Sequence, residues 1–178
     1  MPRQFHPFRE RDLRSLRSID DIRALHALRF EWLCKFLLPY LGYRSLFVTR
    51  KHGTFQSDGG IDIKGKFAGE DVLIQCKRWN KGRNGFLPAS VIRELGGCMA
   101  RDKIRRGAVV ATLRFSRRDR QEAERLRIEL IGTEEIVATM KRIRPGFRDS
   151  PDRRGPHSRP GRRLASSRGF HTAARPPR

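Results

Sequence analysis

The residues that could do chemistry are concentrated in one stretch, from Ser57 to Asn80. Asp62 lies on one predicted strand, and Gln75 and Lys77 lie two residues apart on the next. Because side chains alternate along a strand, Gln75 and Lys77 share one face, and Asp62 can share it too. Polar groups on strands this apolar are costly unless they find partners or a ligand. The grouping predicts either an Asp–Lys salt bridge on a solvated sheet face or a divalent-metal site.

The same stretch predicts a hairpin that would position these groups. Gly59 and Gly60 supply permissive backbone before the first strand, and residues 68–71 form a plausible connection between the strands. Alternation then divides the second strand between two faces, with Val72, Ile74 and Cys76 on one and Leu73, Gln75 and Lys77 on the other.

Patterns on either side of the hairpin predict the order helix, three strands, helix, strand, helix, strand, helix. The first helix ends at Pro39 and Gly42, and Ser116 caps the third. The predicted helices cover about residues 19–41, 88–103, 117–127 and 133–144, and the strands outside the hairpin cover about 43–50, 108–113 and 128–131.

Composition favours a polyanionic partner. The 178-residue chain carries a formal net charge of +21, which indicates nucleic acid or, as the weaker alternative, a membrane surface. No apolar run approaches the ~18 residues that span a bilayer. The three cysteines, Cys34, Cys76 and Cys98, are far apart and form no cluster that suggests zinc, so they are predicted to be small core residues. A reducing cytoplasm is the expected environment.

The two ends of the chain differ from its middle. Residues 1–17 are basic and are predicted to be a flexible segment, and residues 18–144 are predicted to form one domain. Residues 145–178 are rich in arginine and proline, so we expect disorder there. That tail either binds DNA non-specifically or is a read-through or frame-shifted product of a GC-rich gene.

Several ordered blocks resemble the catalytic domain of the Mrr-type restriction endonucleases, a branch of the PD-(D/E)xK nuclease superfamily. In that branch the usual (D/E)xK reads QxK, as it does from Gln75 to Lys77. The block GGIDI contains Asp62, and LIQCKRW surrounds the QxK. The remaining blocks are Phe30-Glu31, Val91–Gly96, Gly107–Thr112, Phe115-Ser116 and Ile128–Ile131.

The resemblance implies a three-layer α/β/α restriction-endonuclease-like sandwich with a central mixed sheet. It also implies a Mg²⁺-dependent DNA endonuclease of restriction or defence type, with Mn²⁺ as a substitute ion. The implied catalytic residues are Asp62, Gln75, Lys77 and Glu31, the last from the first helix. Asp62, Gln75, Glu31 and the backbone carbonyl of Cys76 would bind the metal, since Mg²⁺ prefers hard oxygen ligands.

DNA contacts are expected from basic residues around the hairpin, with Trp79 either stacking on a base or packing under its loop. The candidates are Lys64, Arg78, Trp79, Lys81 and Arg83. A cut through both strands normally pairs two active sites, so a homodimer is a further hypothesis. The family implies double-stranded DNA as partner and a bacterial, nucleoid-associated location.

Two alternatives within the same fold are open: a structure-specific repair nuclease resembling junction resolvases, and an inactive DNA-binding remnant. Resolvases normally carry a carboxylate where this chain has Gln75. The chain departs from the family pattern where Leu113 follows Thr112 and where Gly132 follows Ile131. About 20 residues before the first helix are too few for the recognition domain that Mrr proteins usually carry, so the basis of target choice is open.

Overall fold

A computed structural model describes residues 8–49, 60–79 and 85–149. Within them, a mixed five-stranded sheet lies between two layers of helices. The strands are β1 (Tyr43–Val48), β2 (Ile63–Phe67), β3 (Glu70–Lys77), β4 (Arg106–Ala111) and β5 (Ile128–Ile131). The helices are α1 (Ile19–Ala24), α2 (Ala27–Leu37), α3 (Ala89–Arg101), α4 (Arg117–Arg125) and α5 (Thr133–Ile143).

The strands lie in the sheet in their chain order, β1-β2-β3-β4-β5. The first two pairings are antiparallel, and β3, β4 and β5 run parallel. Ile63 of β2 lies opposite Ile74, and Cys76 lies opposite Val110 of β4. β3 is therefore the central strand, and its carboxyl end lies beside the carboxyl ends of β4 and β5.

Alternation along β3 divides the core as predicted. Val72, Ile74 and Cys76 pack with residues of α1, α2 and α5, whereas Leu73 packs with residues of α3 and α4. A sheet that buries both of its faces needs a helix layer on each, and this explains why β4 is apolar along nearly its whole length.

The connection between β2 and β3 is tighter than predicted. Phe67 pairs with Glu70, so only Ala68 and Gly69 form the turn, with φ of 49° and 83°. Two successive positive φ angles are typical of the type I′ turn, whose twist matches that of the flanking strands. The sequence predicts Glu70 and Asp71 in the connection, but they are the first residues of β3.

The single helix predicted over residues 19–41 is wrong in detail. The helical segment breaks at Leu25 and His26, both of which have extended ψ angles, and a 3₁₀ turn follows over Leu38–Leu41. His26 caps α2 by accepting a hydrogen bond at Nδ1 from the N–H of Leu28, at 3.3 Å. An apolar stripe continues across such a break, and therefore periodicity did not reveal it.

Residues 8–17 fold onto the domain, which differs from the predicted flexible segment over residues 1–17. Phe8, Leu13 and Leu16 are buried in the core beneath α1 and α2. The Arg144 guanidinium donates to the carbonyls of Leu13 and Leu16. Beyond the predicted boundary at 144, Phe147 is also buried. The apolar residues that anchor both ends are widely spaced among arginines. The composition of these segments therefore did not predict that they pack on the domain.

Several predictions lie outside the described residues, including those for Gly59, Lys81, Arg83 and the tail from residue 150 onward. None of the helices in the described part of the chain has the length and apolar character to cross a bilayer.

Candidate active site

Asp62 reaches β3 through an irregularity at the start of β2. Its N–H donates to the carbonyl of Ile74 at 3.0 Å, and Ile63 also lies opposite Ile74. Asp62 and Ile63 therefore both lie opposite Ile74, as in a β-bulge. A bulge changes the direction in which a side chain points. The Asp62 carboxylate accepts a hydrogen bond at Oδ2 from the Cys76 N–H at 2.7 Å. The acid is thus held at the backbone midway between Gln75 and Lys77.

Gln75 is buried on β3 with part of its amide unsatisfied. Its side chain is 1% exposed, and among the described residues Oε1 has no hydrogen-bond partner. The Nε2 end lies against Gly60, where a Cβ atom would come within 2.7 Å of it. Gly60 has a φ of 84°, a left-handed conformation that favours glycine. The absence of a side chain at Gly60 also allows the Gln75 amide to approach the backbone closely.

Glu31 lies on α2, the helix that packs on the face of β3 that carries Cys76. Its side chain is 3% exposed. Burial raises the pKa of the Cys76 thiol, a hydrogen bond with the Cys34 thiol raises it further, and the nearby carboxylates of Asp62 and Glu31 add to the effect.

Lys77 is the last residue of β3 and is partly exposed. Among the described residues, its ammonium has no hydrogen-bond or ion-pair partner. Its backbone carbonyl accepts a hydrogen bond from the N–H of Thr112 at 3.3 Å, which joins the end of β3 to the segment after β4. By alternation it lies on the face of Leu73 and Gln75, opposite to Cys76.

Comparison with protein families adds to this geometry. A family model, Mrr_cat, described as a restriction endonuclease, matches residues 22–140. The chain belongs to the Mrr-type restriction endonuclease family. The match confirms the predicted family and covers every residue of the predicted site.

Solved structures support the fold of this Mrr-family chain. It is similar to the DNA modification-dependent restriction endonuclease AspBHI, with a TM-score of 0.55 and 21% identity over 75% of this chain. The aligned part is 35% of AspBHI, so the chain spans about a third of that protein's length. This likeness confirms the predicted restriction-endonuclease-like α/β fold.

Another similar structure is a protein of unknown function, AF1548, with a TM-score of 0.46 and 16% identity over 64% of this chain and 65% of that one. No curated protein sequence matches the Mrr-family chain.

The oxygen donors predicted for the site of the Mrr-family chain are of the type that a hard divalent ion binds. Among the described residues, no group of three or more His, Cys, Asp or Glu side chains could hold a metal. The predicted set is of another kind, because it combines two buried carboxylates, Asp62 and Glu31, with the unsatisfied amide oxygen of Gln75. Mg²⁺ binds such oxygens and retains several waters, so few protein ligands suffice.

The predicted DNA contacts of the Mrr-family chain are already engaged with protein where the structure describes them. Lys64 forms an ion pair with Asp102, with Nζ and Oδ2 3.8 Å apart. The Arg78 guanidinium donates to the carbonyl of Arg23 at 2.9 Å. Trp79 is partly buried against the core beneath α3, so its ring packs in the protein. A role of these residues in DNA binding remains a prediction.

Sequence reasoning about the Mrr-family chain missed the contribution of Thr112 and Arg23. Thr112 is fully buried, and its hydroxyl accepts from the N–H of Trp79 at 2.9 Å and donates to the carbonyl of Trp79 at 3.1 Å. Arg23 of α1 donates through Nε to the carbonyl of Thr112 at 3.4 Å. Together they fix the backbone just after Lys77. These contacts join distant parts of the chain, and no local pattern signals them.

Proposed function

We propose that this chain is a Mg²⁺-dependent endonuclease that hydrolyses phosphodiester bonds of DNA, of restriction or defence type. The observation that carries the proposal is the 2.7 Å hydrogen bond from the Cys76 N–H to the Asp62 carboxylate. It brings an acid to the middle of the QxK sequence in a chain of a restriction endonuclease family. A salt bridge on a solvated face does not account for this arrangement, since Asp62 is only 7% exposed.

Four groups would hold the ion. Asp62 and Glu31 offer carboxylate oxygens, Gln75 offers its amide oxygen, and Cys76 offers its backbone carbonyl. The bound ion would supply an activated water, charge neutralisation at the phosphate and stabilisation of the leaving oxygen. With an amide in place of one acid, the site carries less negative charge, which favours one ion over two. Mn²⁺ is expected to substitute, because it accepts the same oxygen ligands.

Lys77 would act on the substrate. An ammonium at the end of β3 can orient the attacking water and stabilise the negative charge that develops on the phosphate. Its partly exposed position is compatible with this role, because a group that must meet a phosphate cannot be enclosed by protein. Among the described residues its ammonium is not engaged, unlike those of Lys64 and Lys66.

The +21 charge supports DNA as the partner, since neutralising phosphates releases counterions. Because the chain matches 35% of AspBHI, the recognition of a particular sequence or modification is not assigned to it. A homodimer would bring two active sites to the two strands of a duplex. We place the protein in the bacterial cytoplasm, near its DNA.

Cleavage of supercoiled plasmid in Mg²⁺ tests the proposal. We expect the wild-type protein to cut, and Asp62→Ala and Lys77→Ala each to reduce the rate by about 10²–10³-fold, as for removal of other transition-state contacts. Lys66→Ala is the matched control, because Lys66 is a lysine of the same hairpin paired with Asp71 at the far end. DNA binding without cleavage by the wild type would instead identify an inactive remnant, and cutting that survives both site variants would remove this site from the mechanism.

A further inference from the structure

A groove of about 600 Å³ opens beside the candidate active site, at the carboxyl ends of β4 and β5. It includes the start of α5 and the segment before α3. The residues that matter here are Phe86, Arg114, Arg120, Thr133, Glu134 and Asp149. None of them belongs to the predicted catalytic set, and the groove has the volume of a small-molecule site.

Phe86 is an exposed aromatic side chain held on a fixed backbone. The ring is 58% exposed, yet its neighbour Leu87 is buried at 2%. Phe86 forms a parallel bridge with Arg114, in which the Leu87 N–H donates to the Arg114 carbonyl at 3.0 Å and the Arg114 N–H donates to the Gly85 carbonyl at 3.2 Å. A large apolar ring that the fold presents to a groove offers a stacking surface for another planar group.

The charged groups of the groove include both signs. Arg114 and Arg120 are hydrogen-bond donors, whereas Glu134 and Asp149 are acceptors, and all four are exposed. A groove built only for phosphate would exclude carboxylates, since they repel it. Arginine together with carboxylate matches the edge of a nucleobase, where carbonyl and ring-nitrogen acceptors lie near exocyclic amino donors.

Thr133 adds a buried polar atom to the same groove. Among the described residues, its Oγ1 is buried and has no hydrogen-bond partner. Thr133 is the first residue of α5, beside the capping interaction in which the Gly132 N–H donates to Glu135 at 2.8 Å. A buried hydroxyl without a partner is costly, so its position at the groove needs an explanation.

The groove lies close to the predicted site of cleavage. The Thr112 N–H bonds to the Lys77 carbonyl, and Thr112 lines the groove. Neighbouring strands are about 4.8 Å apart, so β5 lies about 10 Å from β3. At about 3.4 Å of rise per nucleotide, that distance corresponds to about three nucleotides.

We propose that this groove receives one unstacked DNA base, within about three nucleotides of the scissile phosphate, and that the base stacks on Phe86. The inference rests on the proposed function, because it names how the same DNA substrate is held. The arginines and carboxylates contact the edge of the base, and the extruded base fixes the position of the cut relative to the groove.

A double-mutant cycle between protein and DNA tests the proposal. Cleavage in Mg²⁺ first maps the cut on a duplex, and binding is then measured by fluorescence anisotropy with Ca²⁺ in place of Mg²⁺, on duplexes verified to be uncut. One series of duplexes lacks a single base at successive positions around the cut. Phe86→Ala is compared with Phe47→Ala, a control whose ring is 63% exposed on β1, at the opposite edge of the sheet.

We expect Phe86→Ala to weaken binding to the intact duplex roughly tenfold, as is usual for loss of one stacking partner. On the duplex that lacks the base at one position near the cut, the same change should weaken binding less than about twofold. Phe47→Ala should have no effect on either duplex. The proposal fails if Phe86→Ala binds the intact duplex as tightly as wild type, or weakens binding equally on every duplex of the series, while cleavage persists. A wild-type protein that neither binds nor cuts DNA would overturn the proposed function, and this inference with it.

Discussion

The polar side chains at the two ends of the β2–β3 hairpin differ in their exposure to solvent. At the turn, Lys66 pairs with Asp71 at 2.9 Å and Glu70 pairs with Arg106 at 3.1 Å, and all four side chains are at least partly exposed. At the other end, Asp62 and Gln75 are 7% and 1% exposed. Both ends belong to the hairpin that β2 and β3 form.

The difference separates structural polar groups from candidate functional ones. Exposed ion pairs such as Lys66–Asp71 have their partners within the protein, so they require no ligand. Buried polar atoms normally find partners, and an unsatisfied one such as Gln75 Oε1 needs an explanation. The metal ion that we propose at the Asp62 end would provide that explanation, and three comparisons between the two ends would test it.

The largest expected effect is on stability in the presence of Mg²⁺. An ion that binds only the folded chain stabilises it by about 2.7 kcal/mol at roughly 100 times the Kd, which raises the Tm by about 5–10 °C. Asp62→Asn should abolish the shift, whereas Asp71→Asn, at the turn, should retain it. Thermal unfolding followed by circular dichroism, with and without Mg²⁺, measures both. An equal shift in the two variants would mean that the ion binds elsewhere.

A smaller effect is expected from two matched glycines. Gly60 and Gly69 have φ angles of 84° and 83°, so alanine should lower the free energy of unfolding by about 1–2 kcal/mol at either position. Only at Gly60 would the new Cβ meet the Gln75 amide, at 2.7 Å, and Gly69 has nothing within 4 Å. Denaturation in urea should therefore give similar losses, and plasmid cleavage should fall about 10–100-fold for Gly60→Ala alone. Equal activities would show that the position of the Gln75 amide does not matter.

The smallest effect should come from the exposed ion pair at the turn. The Lys66 and Asp71 side chains are 50% and 66% exposed, so solvent screens their attraction. Removing the pair in a Lys66→Ala, Asp71→Ala double variant should change the free energy of unfolding by no more than about 1 kcal/mol. Urea denaturation at low and high salt provides the measurement. A decrease in the free energy of unfolding well above that value would show that the ion pair stabilises the fold more than its exposure predicts.

Much of the fold could be predicted from sequence because the signals were local. The two-residue period of β3 assigned Val72 and Leu73 to opposite faces, and the range of β5 was predicted without error. The break between α1 and α2 could not be predicted, since an apolar stripe does not report the backbone angles at Leu25 and His26. The burial of Phe8 could not be predicted either, because the arginines around it in the sequence are typical of an exposed segment.

For the candidate site, the sequence by itself determined which side chains are available and that Gln75 and Lys77 share a strand face. Only the tertiary structure decided that an irregularity directs Asp62 onto the Cys76 N–H and that α2 carries Glu31 toward the same residue. It also decided that Thr112, whose N–H bonds to the Lys77 carbonyl, lines the groove of Phe86. The physical reason is that alternation is a property of one strand. The distance between two strands, or between a strand and a helix, depends on the packing of residues far apart in the chain.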